Sequence, residues 1–428
     1  MDITFDSRGE RLIGLGAVNG LLKILTLGLY AFWAKTEVRR KLWSFTRLNG
    51  EPLEYTGTGK ELFLGFLVVF GAVVLPVLFG GLAVALLFAG NKVALSLYQF
   101  VVYAAFFFLF GNALYRAQRY RLSRTRWRGI RGALTGSPWH YGWTYFWTLA
   151  LPFSGIAALA ALAAWIIGPQ VGLVIVLAGF IAALWALPWR SNKLQALMTR
   201  DMYFGDRQLS YTGTSGPLYK RYLYAWAGST VIYLGAIWAT AKLVFGSDMI
   251  TRWENSKIPP SLSEVLTLIA IWALTIVASA MITAWYRANQ MKHFASHTRF
   301  AGATFRSDAT GPGLMWLVLS NWLLPVIALV LGAIAGGLLI YEFGVVPAAP
   351  EPGSTPRDIG LLPMALAIGP IVLLTGTAST FAQFRSARYF MSRLKLDGPV
   401  DLASVLQTSD HGPQRGEGLA QMFDLDAF

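Results

Sequence analysis

The feature that most constrains this chain is the length of its uncharged stretches. Between Gly132 and Trp189 there is no Asp, Glu, Lys or Arg. A helix needs about 20 apolar residues to cross the hydrocarbon core of a membrane, so this stretch is long enough for two spans. Other stretches of membrane length contain at most one charged residue, and they cover 62–91, 93–115, 222–247, 265–286, 309–341 and 359–384. The chain is therefore predicted to be an all-α integral membrane protein with about eight or nine transmembrane helices in repeated hairpins.

Basic residues are concentrated in alternate connections between these stretches. Of the 36 Lys and Arg residues, 28 fall in five segments, namely 35–60, 114–131, 190–221, 285–306 and 384–428. Because basic residues near helix ends are retained on the cytoplasmic side, the five segments are predicted to be cytoplasmic. The apolar sequence between neighbouring segments then forms hairpins, with spans expected at 62–90, 93–114, 141–167, 170–189, 221–246, 263–286, 313–341 and 359–383.

This topology accounts for most of the net charge of +14. A nucleic-acid-binding protein would need a basic face with a fold of its own, so nucleic acid is not expected as a partner. Membrane lipids are expected as partners, because a basic cytoplasmic surface meets anionic headgroups. The chain contains no cysteine, which excludes disulfides and thiolate chemistry.

The first apolar segment, Leu12 to Ala34, permits two interpretations. It is long enough to span once, which would place the N-terminus outside. However, the preceding ITFDSRGERL resembles LEYTGTGKEL and LSYTGTSGPL, which end later cytoplasmic segments. If that likeness is real, both ends of the segment are cytoplasmic and it forms a re-entrant or interfacial helix pair, broken near Asn19–Gly20.

Each of the five basic segments contains one copy of a repeated motif. The copies align without gaps on Gly50, Gly129, Gly205, Gly302 and Gly398. Asn49–Gly50 and Asp397–Gly398 are typical of tight turns, and short alternating runs beside them indicate strands. Each unit is therefore predicted to be a helix extension, a short cytoplasmic β-hairpin and the next membrane hairpin. The resulting units are 1–60, 61–140, 141–220, 221–312 and 313–410, followed by a flexible tail at 411–428.

Polar residues recur at fixed places before each glycine. A hydroxyl stands six places before it in all five copies, and a basic residue stands ten and three places before it in four. These offsets predict one polar helical face, which either binds lipid or a partner or joins the five extensions together. The candidate residues are Arg40, Ser44, Arg47, Arg119, Ser123, Arg126, Thr199, Lys292, Ser296, Arg299, Arg388, Ser392 and Lys395.

Three polar residues lie in or near apolar segments. Lys23, Asn112 and Asn321 are candidates for an intramembrane site, because polar groups in a membrane are costly unless they serve a purpose. A lysine near a helix end can instead reach water, and asparagines commonly form hydrogen bonds between helices.

No catalytic or cofactor site is predicted. His293 and His297 are spaced four residues apart, as metal ligands can be, but no third ligand accompanies them and no metal is expected. No paired carboxylates lie in the apolar stretches and no phosphate-cradling glycine loop is present. The chain is therefore predicted not to be an enzyme.

Two segments resemble a known family. TLGLYAFWAKTEVRRKLWSFTRLNGEPLEYTGTGKEL and QMKHFASHTRFAGATF are similar to the YjgN-like inner-membrane proteins, domain-of-unknown-function family 898. This resemblance implies a multi-pass protein of the bacterial inner membrane. It implies no established activity and no functional residues.

Two functions are compatible with these features. The first is a carrier or lipid-handling protein with a cavity between the hairpins, and the second is a scaffold or adaptor for a membrane partner such as a protease. The tail at 411–428 is expected to be a flexible end, or to dock on a partner or on the cytoplasmic layer.

Overall fold

Eight helical spans dominate the structure. The computed structural model describes residues 3–6, 10–247, 249–256, 260–342, 361–399 and 405–407. Within them, eight helices are long and apolar enough to cross a membrane, which confirms the predicted number. The helices are α1 (Glu10–Leu25), α2 (Ala31–Phe45), α3 (Gly59–Val69), α4 (Leu75–Leu87), α5 (Lys92–Arg124), α6 (Pro138–Ile166), α7 (Pro169–Ala183), α8 (Leu187–Arg200), α9 (Gly216–Gly246), α10 (Met249–Ser256), α11 (Leu262–Ser296), α12 (Gly311–Glu342) and α13 (Leu361–Met391).

Two of the spans are built from two helices each. A π-helical turn at Phe70–Val74 joins α3 to α4, and a 3₁₀ turn at Leu184–Ala186 joins α7 to α8. Pro76 lies at the start of α4 and Pro188 at the start of α8, each directly after the turn at which the helical hydrogen-bond pattern changes. The spans therefore accommodate these prolines at turns in the helix.

The helices end where local sequence signals place them. Asn91 begins α5 by accepting the N–H groups of Val93 and Ala94 at 3.1 Å. Gly168, at a φ of +142°, separates α6 from α7 as predicted. At the basic ends α5 and α11 continue well past the predicted spans, to Arg124 and Ser296. This confirms that the motif copies begin as helix extensions.

The first apolar segment forms a helical hairpin that does not span. Its two helices, α1 and α2, leave and return to the same end of the molecule, because the residues outside them pair as neighbouring strands. The predicted break near Asn19–Gly20 is wrong, since α1 is continuous there. Gly20 instead lets α1 approach α13 closely, where an added Cβ would lie 3.3 Å from Leu373 Cα. The chain reverses at 26–30, with Leu27 and Gly28 in the left-handed region.

Short strands follow the helix extensions, as the motif predicts. They are β1 (Ile3–Phe5), β2 (Thr46–Leu48), β3 (Glu51–Pro52), β4 (Glu54–Tyr55), β5 (Thr125–Trp127), β6 (Ile130–Leu134), β7 (Met202–Phe204), β8 (Arg207–Tyr211), β9 (Thr298–Phe300), β10 (Ala303–Ser307) and β11 (Leu394–Asp397). Every pairing is antiparallel, and the second strand of each hairpin pairs with the first strand of the next copy.

These strands form two sheets, one of three strands (β1–β3) and one of eight (β4–β11), which are arranged in a ring, called the strand ring below. Leu53 joins β3 to β4, so one bent segment pairs with β2 on one side and with β5 on the other. Beyond β11 the next strand in space is β1, which contacts β11 and pairs with β2. The N-terminal strand thus occupies the place of a second strand in copy five. This explains the likeness of ITFDSRGERL to the later copies.

An apolar cluster fills part of the strand ring. Ile130, Phe300 and Leu396 come from three different copies, and each is at least nine-tenths buried. Val405 joins them from the C-terminal side. The Asp206 N–H donates to the carbonyl of Leu406 at 2.9 Å, and the Leu406 N–H donates to Asp206 Oδ1 at 3.1 Å. Residues 405–407 therefore lie against the strand ring. The tail at 411–428 lies outside the described residues.

Candidate functional site

Ser and Thr hydroxyl groups donate hydrogen bonds to the last carbonyls of the helix extensions. Ser44, Ser123 and Ser296 each donate a hydrogen bond to the carbonyl three residues earlier, at 2.8 to 3.0 Å. The threonine two residues later donates to the carbonyl four residues before it, as Thr298 does at 2.8 Å. The last carbonyls of a helix have no partner within the helix, and these side chains supply one. The repeated hydroxyls therefore serve their own helices.

The predicted single polar face is divided between helix and strand. The basic residues three places before each glycine are not helical, because the extensions end before them. Arg47, Arg126, Arg299 and Lys395 lie on β2, β5, β9 and β11. This part of the prediction is wrong, and the reason is the helix end at the Ser-x-Thr sequence.

Several of the remaining motif residues bind the hairpin that follows. Arg40 donates to the carbonyl of Gly57 at 3.4 Å, and Arg119 donates to the carbonyl of Gly136. In copy three Gln195 donates to Thr199 at 3.0 Å, within the same helix. In copy five Ser392 donates to the carbonyl of Tyr389, while Arg388 lies in the last turns of α13. The Arg40 and Arg119 contacts hold Thr56–Gly57 and Thr135–Gly136, which follow the hairpins of copies one and two, against the helix extensions.

Of the two candidate asparagines, Asn112 is buried on α5 and Asn321 is half-buried on α12. Asn321 donates to Ser386 Oγ on α13 at 2.9 Å, and Asn112 accepts from Arg116 Nε at 2.8 Å. Each also has one buried amide atom, Asn321 Oδ1 and Asn112 Nδ2, without a hydrogen-bond partner in the described chain. Lys23 lies half-buried in the last turn of α1. These three residues are on different helices and the structure does not bring them together.

The two histidines lie one above the other at the end of α11. Their ring centroids are 4.3 Å apart, and His293 Nε2 is 2.8 Å from the carbonyl oxygen of Thr214. His297 Nδ1 is 2.7 Å from the carbonyl oxygen of His293. One ring nitrogen of each histidine is thus within hydrogen-bond distance of a backbone carbonyl oxygen. Across the ranges given above, no group of three or more His, Asp or Glu residues is placed to hold a metal ion.

A basic cavity lies beside these histidines, and we call it the basic groove. Its volume is about 700 Å³, and it opens between the start of α9, the end of α11 and the end of β10. Four cationic side chains line it, namely Lys220, Arg221, Lys292 and Arg306. His293 and Ser296 form part of its wall. Of the predicted motif residues, Lys292 and Ser296 are therefore brought to one cavity.

Most of the positive charge in the basic groove is unpaired. Lys220, Arg221 and Lys292 form no hydrogen bond or ion pair with any residue that the structure describes. The one carboxylate in the wall, Asp308, is 2.8 Å from Lys395 Nζ and 3.2 Å from Arg306 Nε. The hydrogen bond from Lys395 holds the pKa of Asp308 below its usual range. The groove therefore presents a net positive surface at neutral pH.

The equivalent place between copies one and two contains an anion. There Glu61, at the start of α3, accepts hydrogen bonds from the Tyr120 hydroxyl at 2.8 Å and the Arg124 guanidinium at 2.9 Å. Counted from the motif glycines, His293 and His297 correspond to Tyr120 and Arg124. When Thr212–Gly213 is aligned with Thr56–Gly57, Pro217 corresponds to Glu61. The basic groove thus lacks the carboxylate that fills its counterpart.

The sequence alone did not identify three of the four groove cations. Lys220, Arg221 and Arg306 belong to segments rich in basic residues, but no spacing connects them to Lys292. The available signal was a difference between copies, because the glutamate at the start of the helix after copy one is replaced by Pro217 after copy three.

Comparison with known proteins gives a family and three named relatives. A family model described as "Bacterial protein of unknown function (DUF898)" matches residues 1–422. Proteins named "Inner membrane protein YjgN" from Salmonella typhimurium and Escherichia coli K12 are 38% identical over 68 residues and 37% identical over 73 residues. These matches cover 16% and 17% of this chain, and 17% and 18% of the relatives. No solved structure matches the chain.

Proposed function

This chain belongs to the DUF898 family of bacterial proteins of unknown function, and we propose that it is a lipid-handling protein that catalyses no reaction. It is a multi-pass inner-membrane protein, in agreement with its eight spans and with the names of its relatives. The observation that supports lipid handling is the way in which the hairpins pack against one another.

Neighbouring hairpins contact each other near the strand ring. Between α5 and α6, the rings of Phe108 and Trp139 lie 5.8 Å apart. Between the 3₁₀ turn before α8 and the start of α9, the rings of Trp185 and Tyr219 lie 5.2 Å apart, and the Tyr222 hydroxyl donates to the carbonyl of Leu184 at 2.6 Å. These aromatic contacts lie in the ring-side turns of the spans. They join neighbouring hairpins at the ends of the spans that are nearest the strand ring.

The halves of the spans far from the ring leave large apolar side chains exposed. Phe100 is 69% exposed, Trp238 66% and Leu266 55%. In the most apolar window of each span, no more than 17% of the residues are buried. In a bilayer, such surfaces are covered by lipid chains or by another membrane protein. Lipid chains between the hairpins, held beneath the ring-side contacts, account for this exposure without a further partner.

Retention of lipid by the purified protein tests the proposal. The chain would be purified in a mild detergent, washed extensively and examined by native mass spectrometry, beside an unrelated eight-span protein treated identically. We expect bound phospholipid on this chain after the control has lost its lipid. Equal loss from both proteins would contradict lipid handling.

A scaffold or adaptor for a membrane protein is the second candidate. It is favoured by the same exposed apolar surfaces, which a partner such as a membrane protease would cover. Chemical cross-linking in intact cells before extraction separates the two candidates. Stoichiometric capture of one membrane protein, together with absence of retained lipid, would favour the scaffold.

A further inference from the structure

We infer that the basic groove binds the phosphate group of an anionic membrane lipid headgroup. The inference rests on the proposed lipid handling and adds to it a site and a chemical class of ligand. Three independent observations support it, namely the cavity, its unpaired cations and the internal comparison with copy one.

The first observation is the shape and position of the cavity. At about 700 Å³ it is large enough for a phosphodiester headgroup, since ligand pockets commonly have volumes of 300 to 1,000 Å³. It lies at the start of α9 and the end of α11, on the side of the spans that carries the strand ring. A lipid headgroup is found at this level, with its chains among the spans.

The second observation is the charge. Lys220 and Arg221 are exposed and Lys292 is half-buried, so all three can reach a group in the cavity. Cations that have no partner among the described residues are available to a ligand. A phosphate offers several acceptor oxygens to such donors, and Arg and Lys are the side chains that most often bind it.

The third observation is that the fold already places an anion at the equivalent position. Between copies one and two, the Glu61 carboxylate is held by a hydroxyl and a guanidinium. Between copies three and four, Pro217 contributes no anion and the space is open. One repeat thus supplies the anion from its own chain, and the other leaves a place for an anion from outside.

Two kinds of variant test the inference in the full-length protein. The double substitution Lys220→Gln with Arg221→Gln removes two cations from the groove. Pro217→Glu removes none, but introduces the carboxylate found in copy one. Lys60→Gln is the matched control, because Lys60 is an exposed lysine at the start of α3, beside the place that Glu61 fills.

The measurement is the affinity for phosphatidylglycerol relative to phosphatidylcholine, titrated by native mass spectrometry. Each cation near an anionic lipid surface contributes roughly fivefold in affinity, so the double variant should lose about 25-fold of the preference for phosphatidylglycerol. Pro217→Glu should lose the preference as well, while Lys60→Gln should retain it. An equal loss in Lys60→Gln would show a general surface-charge effect and overturn the inference.

Further measurements distinguish a lipid headgroup from free phosphate as the ligand, and the groove site from lipid handling in general. Displacement of phosphatidylglycerol by millimolar inorganic phosphate from wild type, but not from Pro217→Glu, would support the site. Lipid retained by wild type without headgroup preference would overturn the inference and leave lipid handling intact. If wild type retains no lipid but inorganic phosphate raises its Tm and not that of Pro217→Glu, the groove binds free phosphate, and the assignment to a lipid is wrong.

Discussion

At the scale of single residues, the most regular feature of the sequence has a structural explanation. The hydroxyl six places before each motif glycine is found in all five copies, yet in Ser44, Ser123 and Ser296 it bonds to its own helix. The regular recurrence of this hydroxyl therefore indicates that the helix extensions end in the same way. The proposed lipid site depends instead on a difference between copies, namely Glu61 after copy one and Pro217 after copy three.

The turn residues show the same contrast between regular and irregular positions. Asn49 and Gly50 have φ values of +50° and +85°, as a type I′ hairpin turn requires. Ala301 occupies the position of Asn49 in copy four, at a φ of +46°. Alanine is strained in this region, whereas asparagine tolerates it.

Replacing Ala301 by Asn should therefore stabilise the protein. The expected gain is about 1 kcal/mol, read as a higher Tm in detergent, because the left-handed conformation costs roughly that much for most residues. The reverse change, Asn49→Ala, is the matched control and should lower Tm by a similar amount. Two variants with the Tm of wild type would contradict the assigned turn geometry.

At the scale of elements, most of the fold follows from the sequence. Uncharged runs located all eight spans, and the turn dipeptides and alternating runs located the hairpins of the copies. The helix break in the first segment was misplaced, because Asn19–Gly20 looks like a turn in sequence but serves close packing against α13. The ring was not predicted either, since its closure depends on β1 meeting a strand from the far end of the chain.

Two substitutions in β1 measure how much this strand contributes to the stability of the protein. Phe5 packs against Phe384 and Phe45, with ring centroids 5.3 Å and 6.1 Å apart. Phe5→Ala should lower the free energy of unfolding by about 2 kcal/mol, less than for a fully buried phenylalanine because Phe5 is half-buried. Thr4→Ala, at the neighbouring exposed position, should have little effect. An equal Tm for both variants would contradict the role of β1 in closing the ring.

At the scale of the whole molecule, the protein consists of five related units arranged around a closed ring. Four units contribute a pair of spans and one contributes the α1–α2 hairpin, so every motif copy lies at the same end of the helices. The basic groove could not be predicted, because its four cations come from three segments separated by up to 86 positions in the chain, from Lys220 to Arg306. Only the folded ring brings them to one cavity.

We predict that the strand ring and its basic groove face the cytoplasm, because 28 of the 36 Lys and Arg residues lie in the five motif segments. Ser210, exposed on β8, and Gln170, exposed at the start of α7, lie at opposite ends of the spans. In this cysteine-free chain, Ser210→Cys and Gln170→Cys would be treated with a membrane-impermeant maleimide in intact spheroplasts. We predict labelling of Gln170→Cys in intact spheroplasts and of Ser210→Cys only after permeabilisation. Labelling of Ser210→Cys in intact spheroplasts would place the ring outside the cell and contradict the account.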